Sequence, residues 1–142
     1  GIGSSLCVVG AWVTAIGVGV PAALFSEPHI ACPPTSRLYR AVEGERAIAW
    51  CEGLAFNGEV ENNGPRVTWY LSGQVASQEI FRLGHPHGPY RAWHRNGALA
   101  IQGRYERGER EGEWLRWGDD GHLIARERCH RGRCRALPVE SD

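Results

Sequence analysis

This sequence predicts an all-β fold, an antiparallel meander of stacked β-hairpin repeats preceded by an N-terminal hydrophobic helix. Three observations predict it. A 24-residue motif runs three times in one register, as 64–87, 88–111 and 112–135. Glycines recur at two turn positions of every copy, Gly73/Gly97/Gly121 and Gly84/Gly108/Gly132. The chain before them opens on an uncharged apolar stretch. A unit this short cannot bury its own apolar face, so successive units must stack.

The first element is that apolar stretch. Leu6 to Phe25 is a 20-residue run with no ionisable side chain other than Cys7. As a helix it is long enough for a hydrocarbon core, which takes about 20 residues. Residues 1–26 are therefore expected to act as an export signal or an uncleaved anchor, with a buried core helix as the plainer alternative. Gly10, Gly17, Gly19 and Pro21 weaken the stretch as a stable span. Residues 27–47 are expected to form an irregular, disulfide-tied linker. Ala47 to Leu54 should supply the first strand of a repeat domain over 48–135, and 136–142 should be a tail.

Each unit is expected to contain two antiparallel strands. The first is short: Val67-Thr68-Trp69-Tyr70, Tyr90-Arg91-Ala92-Trp93 and Trp114-Leu115-Arg116-Trp117. It ends at Ser72-Gly73, Asn96-Gly97 or Asp120-Gly121, where glycine accepts positive φ. In the second strand Val75, Ser77, Glu79 and Phe81 should share one face by period 2, as should Leu99, Ile101, Gly103 and Tyr105, and Leu123, Ala125, Glu127 and Cys129. A second turn follows at Leu83-Gly84, Arg107-Gly108 and Arg131-Gly132. Three units make about six strands, and the strand over Ala47–Leu54 adds one more. Trp69, Trp93 and Trp117 are expected in the core, because rings recurring in every unit are what a repeat core needs; a row of exposed rings for stacking ligands is the competing reading.

Of five cysteines, Cys7 lies in the apolar run and the others form two local pairs. In an exported chain the pairs read as disulfides, Cys32 with Cys51 and Cys129 with Cys134. Cys129 stands at the repeat position of Phe81 and Tyr105, so a bridge there would replace packing lost at the end of the array. A zinc site from Cys129, His130 and Cys134 lacks the second short cysteine pair such sites normally have. Ala31-Cys32 also has the look of an acylation site, but His29 stands where such a signal carries a Leu-like residue.

Composition narrows the function classes. Sixteen basic and 16 acidic residues cancel, so no global field draws the chain to nucleic acid or anionic lipid, and nucleic acid is not an expected partner. All 16 cations are Arg, which reads as the codon bias of a GC-rich genome. The carboxylates at 106, 109, 111 and 113 alternate with arginines around a turn, as a solvated hairpin edge does. No nucleophile elbow, metalloprotease spacing or phosphate loop is present. No catalytic residue, metal or cofactor is expected. The one lopsided patch is Arg126, Arg128, Arg131, Arg133 and Arg135, which could meet phosphate, lipid headgroups or an acidic partner.

The stretch Gly103-Arg104-Tyr105-Glu106-Arg107-Gly108-Glu109-Arg110-Glu111-Gly112-Glu113-Trp114 resembles the MORN repeat, in the bacterial variant described as antitoxin-like. Phe81-Arg82-Leu83-Gly84-His85-Pro86-His87-Gly88-Pro89-Tyr90 is similar to the same aromatic, glycine and tryptophan pattern. The third copy departs, with Cys129 for the aromatic and Ala136 for the next glycine. The resemblance covers about Trp50 to Arg135 and implies a hairpin meander used as a protein-interaction scaffold, with lipid binding in some members. The layout of Cys32-Pro33-Pro34 and Trp50-Cys51-Glu52 also looks like small envelope proteins of this type.

The expected function is thus a non-catalytic scaffold for protein–protein interaction at a bacterial envelope, with an unknown protein partner and a membrane reached through the N-terminal segment. Membrane-surface or polyanion binding through the Arg patch is the alternative, and antitoxin-like partner binding a third.

Overall fold

The computed structural model describes residues 12–15, 18–21 and 28–140. Ten strands lie in one antiparallel sheet. They are β3 (Ser36–Glu43), β4 (Arg46–Leu54), β5 (Val60–Tyr70), β6 (Val75–Arg82), β7 (His85–Pro86), β8 (Gly88–Trp93), β9 (Leu99–Glu106), β10 (Glu109–Trp117), β11 (Leu123–His130) and β12 (Arg133–Ala136). Each strand neighbours the next in sequence, except that β7 and β8 share one edge of β6. No helix occurs among the described residues. Upstream, β1 (Trp12–Ala15) and β2 (Val18–Pro21) pair antiparallel in a sheet of their own. The rest of the expected N-terminal helix, and of the signal or anchor over 1–26, lies outside the described residues.

The meander follows from two alternating turns. At Leu83-Gly84, Arg107-Gly108 and Arg131-Gly132 both central residues have positive φ (51° and 81°, 51° and 86°, 48° and 78°). This is the type I′ geometry, whose twist matches that of the flanking strands. Across each turn a backbone hydrogen bond reaches the segment just before its own unit: Gly84 N–H to Asn62 O, Gly108 N–H to Pro86 O and Gly132 N–H to Arg110 O, at 3.0, 2.8 and 3.0 Å. The other turn is a three-residue loop ending in glycine, closed by pairs such as Tyr70 N–H to Gln74 O and Gly73 N–H to Tyr70 O. Side chains cap it: Asn96 and Asp120 accept the backbone N–H two residues on, at 2.9 and 3.0 Å.

Beside each of these loops the register slips by one residue, between Thr68/Trp69, Ala92/Trp93 and Arg116/Trp117. The bulge sets Val75, Leu99 and Leu123 directly across from the three tryptophans. Strict alternation had put Val75 on the face of Ser77. The extra residue instead turns it to the face of Trp69, where it packs on the core.

That core is Ala47, Ala49, Val67 and Trp69, with Ile30, Leu38, Val42 and Val75 packed against it. Trp69 is fully buried at 0% exposure, worth on the order of 3 kcal/mol. Trp93 and Trp117 correct the expectation of three core rings: they lie outside this cluster and stay half-buried. The segment expected to be an irregular linker is also corrected over Ser36–Glu43, which is a full strand paired with β4. Its register closes at Glu43↔Arg46 around Gly44, whose φ of 60° suits a tight two-residue turn. Leu38 and Val42 can then reach the core.

Both disulfides form. Cys32–Cys51, with Cα atoms 5.6 Å apart, pins the segment carrying Ile30 across β4. Gly64 makes room for it, since a Cβ there would overlap the ring of Pro33. Cys129 and Cys134 face each other directly across β11 and β12, with Cα atoms 4.0 Å apart.

Candidate functional site

Three surfaces carry the chemistry of this molecule. The first is a row across the middle of the sheet, built by the repeat itself. Arg66, Tyr90 and Trp114 occupy equivalent positions, as do Glu79, Gly103 and Glu127. In β5–β6 the row holds an ion pair, Arg66 Nε to Glu79 Oε1 at 4.0 Å. In β8–β10 it is aromatic. Tyr90 and Trp114 stand on strands separated by β9, yet their rings stack at 5.7 Å and 30° because Gly103 between them has no side chain. Tyr105 meets both edge-on, at 5.8 and 5.0 Å. The Arg110 guanidinium lies 4.4 Å from the Trp114 ring. Trp114 is 4% exposed, and its indole nitrogen has no hydrogen-bond partner among the described residues. Burial raises the Glu79 carboxyl above the usual carboxylate range, with Arg66 opposing. Tyr90 is raised as well, first by burial and then by Glu79 and Tyr105, against Arg46 and Arg110. Trp114 is buried as core, while Tyr90 and Tyr105 stay half-buried around it. Sequence reading placed Trp114 on a strand without seeing it as core, and its signal was the glycine at 103.

The second surface is the Arg patch. The register sets Arg128 opposite Arg135 and His130 opposite Arg133, so Arg126, Arg128, Arg133 and Arg135 share one face by alternation. Among the described residues only Glu113 pairs with them, 2.7 Å from Arg126 and 3.9 Å from Arg128. Arg131 is set apart at the hairpin tip, where its backbone N–H donates to Glu111 at 2.9 Å. That bond, and then the His130 ring at 2.9 Å, hold the Glu111 carboxyl below the usual range. On the opposite face the two bridged sulfurs and a Glu127 oxygen lie within 4.8 Å of one another. Both sulfurs are bonded to each other, Glu127 pairs with Arg110 at 3.3 Å, and His130 is turned to Glu111. The oxidised arrangement therefore leaves no thiolate to bind a metal.

The third surface was missed in the sequence. β4 and β5 are joined by Ala55 to Glu59, with Ala55 N–H to Glu59 O at 2.8 Å and Gly58 N–H to Ala55 O at 2.9 Å. This is the same glycine-ended loop as at Gly73, Gly97 and Gly121. The Asn57 side chain caps it, accepting from Glu59 N–H at 3.0 Å and donating to the Glu59 carboxylate at 2.9 Å. Leu54, Phe56 and Val60 stand exposed there, Phe56 completely. Asn57-Gly58 carries the signal that Asn96-Gly97 carries, but it falls 15 residues before Gly73 and so outside the 24-residue register.

No family model, curated protein or solved structure matches the chain.

Proposed function

We propose that this protein is a non-catalytic β-repeat scaffold that binds another protein, exported to an oxidising compartment such as a bacterial envelope. The carrying observation is the hairpin tip. Three apolar side chains, Leu54, Phe56 and Val60, project from a loop held by its own hydrogen bonds. An exposed aromatic on a rigid support is the kind of anchor that fills a partner's pocket at little entropic cost. Glu52, Glu59 and Glu61 flank it, favouring a partner whose pocket is rimmed by basic residues. The two disulfides support the location, and the resemblance to MORN repeats supports the scaffold role. Photo-crosslinking from position 55 in native envelopes, comparing the otherwise unaltered chain with Phe56→Ser, tests the proposal. Specific adducts lost in the variant support it, and adducts indifferent to Phe56 overturn it.

A second reading, binding to a polyanion or an anionic membrane surface, is favoured by the Arg126, Arg128, Arg133 and Arg135 row. It requires binding to phosphatidylglycerol vesicles or heparin that falls steeply with salt; salt-insensitive binding removes it.

A further inference from the structure

We propose that the free edge of β12 accepts an extended acidic segment of a partner protein as an added strand. This deepens the protein-binding reading and rests on it.

β12 is the last strand of the sheet, and all four of its residues are exposed. His130↔Arg133 closes a two-residue turn, and the pairing continues through Arg128↔Arg135 to a bond from Leu137 N–H to Arg126 O at 2.7 Å. In an antiparallel ladder alternate residues bond inward. Arg133, Arg135 and Leu137 are the inward set, so Cys134 and Ala136 turn their N–H and C=O groups to the open side. No described strand lies there.

The side chains decide what fits that edge. Arg133 and Arg135 point to one face and have no ion pair among the described residues. Arg128 stands beside Arg135, sharing a single carboxylate with Arg126. A second copy of this chain pairing through the same edge would set Arg against Arg, which opposes association. A segment with Glu or Asp at every second residue places its carboxylates over Arg133 and Arg135 while its backbone continues the ladder. On the other face the Cys129–Cys134 bridge holds β12 in place without help from a further strand.

The test uses the full oxidised chain and a fluorescein-labelled, capped Thr-Glu-Val-Glu-Thr-Glu-Val peptide, read by anisotropy. Three comparisons accompany it: the peptide N-methylated at alternate residues, the protein variant Arg133→Ser/Arg135→Ser, and the variant Ala136→Pro. Far-UV circular dichroism confirms that both variants fold. The expected result is saturable binding that weakens about tenfold or more with the N-methylated peptide and with the double variant, and about fivefold with Ala136→Pro. An N-methylated peptide that binds as tightly as the parent, or heparin displacing both equally, shows plain charge attraction and overturns the proposal. Absence of peptide binding also overturns it, and Phe56-dependent crosslinking would then show that the scaffold reading survives.

Discussion

The indole of Trp114 on β10 lies directly over Gly103 on β9, so that a Cβ added to Gly103 would overlap the face of the indole at its Cδ2–Cε2 fusion bond. Tyr90, Tyr105 and Arg110 pack against Trp114 and resist its displacement. Gly103→Ala is therefore expected to destabilise the protein by about 1–3 kcal/mol, the usual penalty of overpacking. Chemical denaturation measures it. An unchanged urea midpoint would mean that the ring does not sit on the glycine.

Leu83 carries a left-handed backbone, φ 51°, at the first centre of its type I′ turn. A bulky side chain costs about 1–2 kcal/mol in that region, and Asn less. Leu83→Asn should stabilise the chain by up to about 1 kcal/mol. Leu83 is also exposed, so little packing is lost with it. A lower melting temperature for the variant would contradict this account.

The two disulfides should differ in weight. Cys32–Cys51 spans 19 residues and Cys129–Cys134 spans five. Loop-closure entropy then gives about 3 kcal/mol for the first and about 2 kcal/mol for the second. Cys32→Ala/Cys51→Ala should cost more still, because Ile30 loses its hold on the Trp69 cluster. The two double variants, compared in denaturant without reductant, give the ranking directly.

Two carboxylates should act on stability with opposite signs as pH changes. The folded state raises the Glu79 pKa through burial, so its contribution becomes less favourable as pH rises from the unfolded carboxylate value through the raised one. Glu79→Gln is expected to gain stability over the parent at neutral pH and to show no gain well below both values. Glu111 is lowered by the Arg131 N–H and by His130. Its contribution is present above the ordinary carboxylate pKa and fades as pH falls through the depressed one. Melting temperatures of parent, Glu79→Gln and Glu111→Gln across pH 3 to about 8 test both signs; parallel curves would refute them.

Much of the architecture was legible because the repeat is local. Gly73, Gly97 and Gly121, and the glycines at 84, 108 and 132, mark the hairpins at sight, since positive φ is a demand of single residues. The cysteine pairs were legible for a similar reason, each lying within one hairpin or its approach. The face assignment of Val75 was not, because a one-residue bulge leaves no mark in hydrophobic alternation. Nor was the core role of Trp114, which depends on a gap in a neighbouring strand. Strand β3 was hidden by its mixed composition, Ser36-Arg37-Leu38-Tyr39-Arg40-Ala41-Val42-Glu43, in which the two residues packed on the Trp69 cluster, Leu38 and Val42, stand four apart. At the candidate sites, the Arg positions were visible as a cluster, whereas only the pairing of β11 with β12 shows that four share a face and Arg131 does not. The Phe56 tip left no mark in the 24-residue period, because its loop lies outside it.

The turn-to-unit hydrogen bonds of Gly84, Gly108 and Gly132 make every copy a template for the one that follows. Length is thereby decoupled from folding, because a duplicated module meets the same edge its predecessor met. Inserting one more 24-residue copy after Glu111 should widen the sheet by two strands, roughly 9–10 Å at ordinary strand spacing, while leaving the Phe56 loop on one side of the insertion and the β12 edge on the other. The repeat is then a ruler that sets the separation between two contact points, adjustable in fixed steps, and small-angle scattering of such insertions would read the increments.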